Sequence, residues 1–582
     1  MISKSTGRTA FLIIILLLHA PFYVGAEKPS IYPMPFLNSK EVLEYCLELE
    51  ALTLNSSLSS FSYRSAGSPG AQASAEWIAC KLESFGLEVK FENFSFLAWE
   101  LYDEPSLTLY VDSQPVRLET FIPMHMSWPT PGEGLRGNIA LYTWGEGAVQ
   151  VNGSILVVGV DDLILNRRVK DFFESIRLSE PRAILYTYTN ILNMWMPPIL
   201  NSAEGSMFWD IRAPAGWIQY RDWMKIKEAL RRGEVQAEMN IPARISLDLH
   251  RNVIGRLPGV KGNGTLIVAA HYDTVMSPGF IDDASGVAGV LAIAHAFAEA
   301  NRRGYTPPYE MRFVFFTAEE FGLIGSLHYR AYHEAELSRI IGVVNLDSIG
   351  GHRLKITESS SLLDEIAAEV AHELALPLTS GTRPGFKQYT DVDSEHAPES
   401  LNLRGSQCHE TGADHLTFED PRAALQIAQN RWGDFQLSID EDTIIPAVTI
   451  TSRPIFPYYI RTGEELGWIH TLFDNSTTPG WIDEERLKSH VEAATLTILE
   501  ALQNSSEDLN PHVLNSSIRE VDASIGNPMT GKGILKAELK RSDRGFNLAQ
   551  TVKLAIILIS IGAMIILLPK KRIIRRPANI FK

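Results

Sequence analysis

Residues 265–273 read TLIVAAHYD, an apolar run of strand length that ends in a histidine and an acid. This stretch gives the strongest indication of the fold class. A continuous apolar run of this kind is typical of a parallel strand that is buried on both faces. The pattern returns in residues 312–320 (RFVFFTAEE) and 340–347 (IIGVVNLD), and residues 447–451 (AVTIT) form a fourth run. Helical segments separate these runs, so the sequence predicts an α/β fold built on βαβ units.

Polar side chains collect where three of the predicted strands end. They are His271 and Asp273 after the first strand, Glu319 and Glu320 after the second, and Asp347 after the third. In an open α/β sheet, functional sites form at the carboxyl ends of the strands. Carboxylates and imidazoles crowded there would be poorly solvated without positive charge, and a pair of divalent metal ions supplies it economically.

Each of these features also has a structural explanation when it is taken alone. A His-x-Asp pattern is common by chance, and a Glu-Glu pair is usually a solvated surface. Asp282 and Asp283 precede an alanine-rich helix, and the dipole of a helix stabilises acidic side chains at its N-terminus without any ligand. The metal hypothesis rests on all of these features occurring together at strand ends.

Eight short motifs carry a resemblance to a known family. In chain order within residues 252–475 they are NVIGRLPG, HYDT, GFIDDASG, FFTAEEFGLIGS, VNLDSIG, SEHAPE, IIPAVTIT and IHTLFDN. The sequence resembles the co-catalytic di-zinc exopeptidases of clan MH, which include aminopeptidase Y, secreted bacterial leucyl aminopeptidases, glutamate carboxypeptidase II and the transferrin receptor. Residues 64–89 are similar to the opening segment of that family, and residues 100–245 resemble a protease-associated insertion less specifically.

The resemblance implies a site of five ligands and two zinc ions per chain, with Co²⁺ or Mn²⁺ as possible substitutes. The first ion would be held by His271 and Asp347, and the second by Glu320 and His470. Asp282 would bridge both ions, and the peptide bond that follows it is often cis in the family.

Two further residues receive roles from the resemblance. Glu319 would be the general base, and Asp273 would orient the His271 ring. His396 in SEHAPE is the alternative to His470. Ile469 stands where some members have a tyrosine that stabilises the oxyanion, so the oxyanion donor is left unassigned.

The implied function is that of an aminopeptidase acting on peptide substrates. Carboxypeptidase action is the nearest alternative, and it would need an arginine for the free carboxylate, for which Arg383 is a candidate. A receptor or binding protein on the peptidase fold is a different class, but such proteins usually lose ligands or the base. Glutaminyl cyclisation on this fold needs one metal, so the full ligand set argues against it.

Both ends of the chain predict contact with a membrane. Residues 1–26 have a basic start, a short apolar core and a Val-Gly-Ala cleavage site, which is typical of a signal peptide. Residues 552–568 are apolar and long enough to span a bilayer, and the basic tail at 569–582 predicts a cytoplasmic C-terminus. The sequence therefore predicts a single-pass cell-membrane protein with its catalytic part outside the cytoplasm.

The composition agrees with this location. The net charge is −16 although both ends are basic, so the body of the chain is strongly acidic and a poor nucleic-acid partner. Cys46, Cys80 and Cys408 are the only cysteines, and the first two could pair. Seven Asn-x-Ser/Thr sequons predict a glycoprotein, at Asn55, Asn93, Asn152, Asn263, Asn475, Asn504 and Asn515.

The predicted fold class is an α/β protein with a mixed, largely parallel sheet flanked by helices, a zinc-exopeptidase (phosphorylase/hydrolase-like) sandwich. A small α+β insertion domain and a C-terminal transmembrane helix complete it. The predicted segments are 1–26 signal peptide, 27–99 first peptidase part, 100–245 insertion, 246–503 catalytic metallopeptidase domain, 504–551 stalk, 552–568 transmembrane helix and 569–582 cytoplasmic tail.

Overall fold

The structure is a computed structural model. It describes residues 32–56, 63–142, 153–159, 180–189, 212–357, 361–378, 413–432, 435–453, 469–478, 481, 483–504 and 506–510. The chain divides into two compact units, Met1–Val521 and Asp522–Lys582, and every described residue belongs to the first unit. The predicted signal peptide, transmembrane helix and basic tail lie outside the described residues, as does most of the predicted stalk.

Fifteen strands are found in the described part of the chain. They are β1 Glu88–Leu101, β2 Ser106–Val111, β3 Gln114–Leu118, β4 Ile122–Pro123, β5 Leu135–Leu141, β6 Ile155–Gly159, β7 Ala183–Thr187, β8 Ala215–Trp217, β9 Gln236–Asn240, β10 Ala243–Leu257, β11 Thr265–His271, β12 Glu310–Phe316, β13 Ile340–Leu346, β14 Arg353–Ile356 and β15 Ala447–Arg453.

The α-helices of the described residues are numbered separately. They are α1 Ser39–Ser56, α2 Pro69–Ser84, α3 Tyr220–Leu230, α4 Gly286–Arg302, α5 Ile324–Tyr332, α6 Leu362–Glu373, α7 Leu416–Glu419, α8 Pro421–Trp432, α9 Glu484–Ala501 and α10 Ser506–Leu509. Short 3₁₀ turns lie at Met34–Phe36 and Glu334–Arg339, and an interrupted turn at Phe280–Ser285 precedes α4.

The first sheet has seven strands in the order β1-β10-β12-β11-β13-β15-β14. Its four central strands, β12, β11, β13 and β15, run parallel, and the outer pairings are antiparallel. The prediction of a mixed sheet flanked by helices is therefore confirmed, with the parallel strands confined to its centre. Parallel strands place their carboxyl ends at one edge, and this property positions the site.

Strand β11 shows why the centre of this sheet is apolar on both faces. All seven of its residues are buried. Leu266, Val268 and Ala270 pack into the core beneath α1, α2, α4 and α9, whereas Ile267 and Ala269 pack into the opposite core with residues of α5 and α7. Successive side chains of a strand point to opposite faces, so two helical layers require an uninterrupted apolar strand.

Helix α4 packs closely on the sheet because glycines face it. A β-carbon at Gly286 would collide with the Asp283 carboxylate and the Leu346 carbonyl, and one at Gly289 would lie 2.8 Å from Leu346 Cδ2. Among the described residues, Phe280–Arg302 is the one stretch long and apolar enough to cross a membrane. Its apolar window is 94% buried within the protein, as expected of a core helix.

The second sheet has eight strands in the order β3-β2-β9-β5-β6-β7-β8-β4, all from residues 106–240. β1 and β10 lead to and from it as a long antiparallel ribbon, from the Glu88–Arg256 pair to the Leu101–Ala243 pair. Its apolar core continues into the peptidase part, where it includes Phe321 and residues of α5 and α8. The second sheet thus packs against the segment that follows Glu320.

Cys46 and Cys80, whose pairing the sequence left open, are both free thiols. Cys46 is buried in α1, and its thiol contacts the Ala284 carbonyl at 3.6 Å. Cys80 lies on α2 and is exposed. The described part of the fold is therefore stabilised by packing, without a bond between these two residues.

His490 on α9 is expected to make the protein sensitive to acid. Its ring is 1% exposed, and its Nδ1 accepts a hydrogen bond from the Gly350 amide at 3.0 Å, which requires an unprotonated nitrogen. Burial lowers the pKa of His490 to about 4. Because the folded-state pKa lies below the unfolded value of about 6.5, the stability from this group is complete above pH 6.5 and is lost as the pH falls towards 4.

The matched variant is His490→Asn, since the asparagine Oδ1 can replace the imidazole Nδ1 as acceptor but does not titrate. Between about pH 7 and pH 4, the wild type should lose about 3 kcal/mol more unfolding free energy than the variant. Urea unfolding of both proteins in excess chelator measures the difference. Parallel pH profiles for the two proteins would contradict the prediction.

Candidate metal centre

The polar residues predicted from the strand ends lie together in the structure. His271 is the last residue of β11, Asp347 follows β13, and Glu319 and Glu320 follow β12 by a short turn. Because these three strands are parallel neighbours, their carboxyl ends meet at one edge of the sheet. Two other segments complete the cluster, the turn before α4 and the loop at residues 469–478.

The cluster contains two groups of three potential metal ligands, and Asp282 belongs to both. The first group is His271, Asp282 and Asp347, and the second is Asp282, Glu320 and His470. In each group the donor atoms lie within 4.8 Å of one another. These are the five residues that the family resemblance assigned, in the same grouping.

The bridging geometry of Asp282 follows from the two oxygens of its carboxylate. Oδ1 lies 3.2 Å from His271 Nε2, and Oδ2 lies 2.9 Å from His470 Nε2. His470 Nε2 is also 3.3 Å from Glu320 Oε1, and His271 Nε2 is 3.9 Å from Asp347 Oδ1. Each oxygen of Asp282 therefore faces a different group. The Asp282–Asp283 peptide bond is cis, as the resemblance implied.

The electrostatics of the cluster favour bound cations. Burial disfavours protonation of His271 and His470, yet the surrounding carboxylates outweigh it and raise the pKa of both imidazoles well above the usual range. Burial also opposes ionisation of Asp282, but the two histidines lower its pKa. Protons on His271 and His470 would therefore take the ring nitrogen positions at which metal ions would otherwise bind.

Among the described residues, the negative charge near the site far exceeds the positive charge. Eight acidic side chains of this part of the chain lie there, six of them buried: Asp273, Asp282, Asp283, Glu319, Glu320, Asp347, Asp414 and Asp474. Of the arginines that the structure describes, Arg64 and Arg431 interact with these acids. Burial raises the pKa of Asp347 to about 6 and that of Asp414 to about 7. Unbalanced buried carboxylates are costly, so the donor set fits divalent cations, and mixed imidazole and carboxylate donors suit zinc.

Glu319 lies beside the ligands without being one. Its side chain is half-buried, and it belongs to neither ligand group. Burial, together with the charges of Glu320, Asp414 and Asp347, raises the pKa of Glu319 well above its ordinary value. Nearby cations would offset these charges and lower the pKa of Glu319 again.

Asp273 holds the turn that carries Glu319 and Glu320. Its Oδ1 accepts a hydrogen bond from the Glu319 amide at 3.1 Å, and its Oδ2 accepts one from the Glu320 amide at 3.3 Å. The His271 Nδ1 lies 3.1 Å from the Asp273 backbone carbonyl but 3.8 Å from its carboxylate. In this structure the backbone of Asp273, rather than its side chain, thus orients the His271 ring.

The same turn is also held from α8. The Arg431 guanidinium donates to the Glu320 carbonyl, and Trp432 Nε1 donates to the Phe321 carbonyl at 2.5 Å. Both residues come from the end of α8, more than a hundred positions later in the chain. The backbone on either side of Glu320 is therefore fixed by amide and carbonyl contacts to two separate elements.

Backbone conformation at the centre is unusual at three residues that are not glycine. Ala318, Ser348 and His470 have φ angles of 57°, 58° and 57°. The left-handed region is unfavourable for such residues and persists only where the surroundings impose it. Each position is a ligand or lies within two residues of one, so the surrounding contacts fix the direction in which the ligands point.

Two further aspartates connect ligand-bearing segments, and the sequence analysis did not assign them. Asp283 Oδ1 accepts from the Gly286 amide at 2.8 Å and the Ser348 amide at 3.0 Å, which joins the Asp282 segment to the one carrying Asp347. Asp474 makes the equivalent connection between the His470 loop and the Asp282 segment. The DD and HTLFD patterns were visible in the sequence, but their partners were not.

Arg64 completes the connections. Its side chain is fully buried and donates to the carbonyls of Tyr272, Pro278 and Gly279, each at 2.8 Å. It thus ties the end of β11 to the turn that carries Asp282. A buried arginine bonded to carbonyls is stabilised by the nearby acids, among them Asp474. Its place at the start of the family-like segment of residues 64–89 was the only sequence signal.

Not every predicted candidate can be placed. His396, the alternative to His470, and Arg383 lie outside the described residues. The Asp-His pair Asp414-His415, which the sequence analysis did not assign, lies beside the centre. His415 Nδ1 is 2.8 Å from Thr449 Oγ1 on β15. Asp414 is 1% exposed and interacts electrostatically with His271. The pair directly precedes helix α7. An aspartate next to a histidine in the sequence before β15 was the signal that could have identified it.

Comparisons with known proteins find similar peptidases. Residues 252–421 match the model of peptidase family M28, a range that contains four of the five candidate ligands. The chain is 24% identical to aminopeptidase YwaD of Bacillus subtilis over 489 residues, covering 82% of this chain and 90% of that protein. It is 30% identical over 140 residues to leucine aminopeptidase 2 of Arthroderma otae, but this match covers 27% of that relative.

The fold is also shared with solved structures. BSAP, a zinc aminopeptidase from Bacillus subtilis, superposes with a TM-score of 0.54 at 21% identity, covering 81% of this chain and 98% of that one. A peptidase M28 precursor from Shewanella amazonensis gives a TM-score of 0.50 at 17% identity, covering 80% and 98%. The match to the model of peptidase family M28 is thus confined to residues 252–421, and the likeness to these solved structures shows a shared fold.

Proposed function

We propose that this protein is a zinc-dependent aminopeptidase that removes residues from the N-termini of peptides. The observation that carries the proposal is the pair of ligand groups sharing Asp282, with Glu319 beside them. The names of the relatives, aminopeptidase YwaD and leucine aminopeptidase 2, support the same activity. An arrangement with three protein ligands in each group and an additional carboxyl beside them favours hydrolysis over a purely structural metal site.

Two zinc ions per chain are proposed, one in each group. His271, Asp282 and Asp347 would hold one ion, and Asp282, Glu320 and His470 the other. Bound zinc supplies Lewis acidity, which polarises the scissile carbonyl and lowers the pKa of water towards neutrality. Because each group offers only three protein ligands, positions remain for water and substrate.

The Glu319 carboxyl provides the proton transfers. It takes a proton from the attacking water and passes it to the leaving amine, which balances the protons over one peptide hydrolysis. The hydrogen bonds from the Glu319 and Glu320 amides to Asp273 hold the backbone turn that carries this carboxyl. A carboxyl on a fixed backbone loses less orientational freedom on the way to the transition state than one on a free loop.

Charge supports an aminopeptidase over a carboxypeptidase. A substrate with a free amine suits a site rich in carboxylates, whereas a free carboxylate would need an arginine directed at it. Of the described residues, Arg64 is bonded to three carbonyls, and Arg431 donates to the Glu320 carbonyl. The guanidinium groups of both arginines therefore bond to backbone carbonyls of the site and are not directed at a substrate carboxylate.

We also propose that the protein is membrane-anchored, with the catalytic part outside the cytoplasm. The apolar segments at residues 1–26 and 552–568 and the basic tail support this topology. Asn93 and Asn263 are exposed in the described structure, as glycosylated residues would have to be. Residues 100–245 are proposed as a protease-associated-like insertion, and the second sheet, built from residues 106–240, fits such an insertion.

The test of this function is a zinc determination combined with a substrate panel. The purified protein should contain two zinc ions and hydrolyse aminoacyl-anilides and peptides with a free amine. It should leave N-acetylated peptides intact, and amidation of the substrate C-terminus should not slow it. Cleavage of blocked peptides only, or a requirement for a free C-terminal carboxylate, would favour the carboxypeptidase. A protein with full zinc and no hydrolysis of any substrate would favour the binding protein.

A further inference from the structure

Asp474 touches the backbone of the bridging ligand. Its side chain is fully buried, and its Oδ1 accepts from the Ile281 amide at 2.8 Å. Its Oδ2 accepts from the amide of Asp282 at 3.1 Å, and its own backbone carbonyl accepts from the Phe280 amide at 3.2 Å. Three consecutive residues of the turn, ending at Asp282, are thus bonded to this single residue.

Asp474 also belongs to the segment that carries His470. It follows the histidine by four residues, and its amide donates to the Thr471 carbonyl at 3.2 Å within the same loop. Trp481 Nε1 also donates to Asp474 Oδ1 at 2.8 Å. His470 lies on a loop with a left-handed backbone, so its position depends on contacts of this kind.

We propose that Asp474 is a positioning residue that holds the His470 loop against the Asp282 turn and thereby forms the metal group made by Asp282, Glu320 and His470. This inference rests on the proposed zinc-dependent function. The 2.9 Å approach of His470 Nε2 to Asp282 Oδ2 joins two segments almost 190 residues apart in sequence. The hydrogen bonds of Asp474 connect the same two segments. Residues that orient metal ligands from outside the coordination shell typically change metal affinity about 10–100-fold when they are mutated.

An asparagine cannot replace Asp474 without a loss at this contact. All three donors that meet the carboxylate are N–H groups, and both oxygens accept. Asparagine offers one oxygen, so its amino group would face an N–H of the turn or of Trp481. In either orientation at least one hydrogen bond becomes a repulsive contact, although the size of the side chain is unchanged.

Asp222 offers a matched control. It is fully buried on α3 beside the second sheet, and its Oδ2 accepts from the amide and the hydroxyl of Thr120 at 2.8 and 2.7 Å. It has no part in either ligand group. Asp222→Asn therefore removes the same kind of buried carboxylate and should lower stability without affecting zinc.

The experiment is a competitive chelator titration of the zinc-loaded full chain, with zinc counted by atomic emission at each step. In Asp474→Asn one of the two zinc ions should leave at chelator concentrations about 10–100-fold lower than in the wild type. The other zinc ion of the variant should leave only at higher chelator concentrations than the first. Asp222→Asn should release zinc as the wild type does. The metal-free forms of the two variants should unfold at similar urea concentrations.

Three outcomes would overturn the inference. Wild-type zinc affinity in Asp474→Asn would show that Asp474 is merely structural. An equal loss of zinc in Asp222→Asn would show that general destabilisation is the cause. A wild type that binds no zinc would refute the proposed function and the inference with it, and the wild-type measurement separates that case from the other two. If Asp474→Asn does not fold, Asp474→Glu, which keeps the charge but displaces the turn, should show a shift in the same direction, and wild-type affinity there would also refute the inference.

Discussion

Replacing Glu319 by glutamine should abolish most of the hydrolysis while leaving the zinc content unchanged. Glutamine keeps the size and the backbone contacts of the residue but cannot take a proton from water. General acid–base catalysis of this kind contributes about 10²–10⁴-fold, so kcat should fall by that factor with little change in KM. The measurement is steady-state hydrolysis of an aminoacyl-anilide, with zinc quantified in the same sample.

The neighbouring residue provides the control. Glu320→Gln changes the same functional group one position later, but Glu320 belongs to the group formed with Asp282 and His470. This variant should lose zinc from that group as well as activity. If Glu319→Gln retained wild-type turnover, Glu319 would not be the base. If both variants lost zinc equally, the two carboxyls would not have separate roles.

Replacing Asp347 by asparagine should stabilise the metal-free protein and destabilise the zinc-loaded one. Burial raises the pKa of Asp347 to about 6, which means that the fold disfavours its charged form. The folded-state pKa lies above the unfolded value of about 3.9, so the penalty is absent at low pH, grows as the pH rises from about 4 to about 6, and is complete at pH 8. A shift of roughly two units corresponds to about 3 kcal/mol at most.

In the zinc-loaded protein the sign is reversed, because the charge of Asp347 then binds a cation. The variant should retain one zinc ion of two, and its unfolding midpoint in saturating zinc should fall below that of the wild type. Urea unfolding at about pH 5 and pH 8, with chelator and with zinc, gives all four values. A metal-free variant that is less stable than the metal-free wild type at pH 8 would contradict the electrostatic account of the centre.

The sequence analysis could name the central strands and the candidate ligands for a common reason. Buried parallel strands are continuous apolar runs, and functional residues follow them directly, so a window of nine residues such as 265–273 holds both signals. Asp282 and His470 are not at strand ends, and the motifs GFIDDASG and IHTLFDN identified them through the family resemblance. The structure brings all five into two groups that share Asp282.

The sequence was less informative about the residues behind the ligands. Asp273 was given the role of orienting His271, whereas its carboxylate bonds the amides of Glu319 and Glu320. Arg64 and Asp474 received no role. Their partners are backbone amides and carbonyls, which every residue carries, so no residue type marks the far end of such a bond.

The sequence alone determined which stretches become buried strands, which side chains stand at their ends and how acidic the whole chain is. These properties are local or additive, and they can be read from neighbours along the chain. Which segments meet depends on the three-dimensional fold, as in the bond from the Ile281 amide to the Asp474 carboxylate, which spans 193 positions. Such contacts form when burial removes water from groups that must then be paired, and that requirement depends on the whole fold.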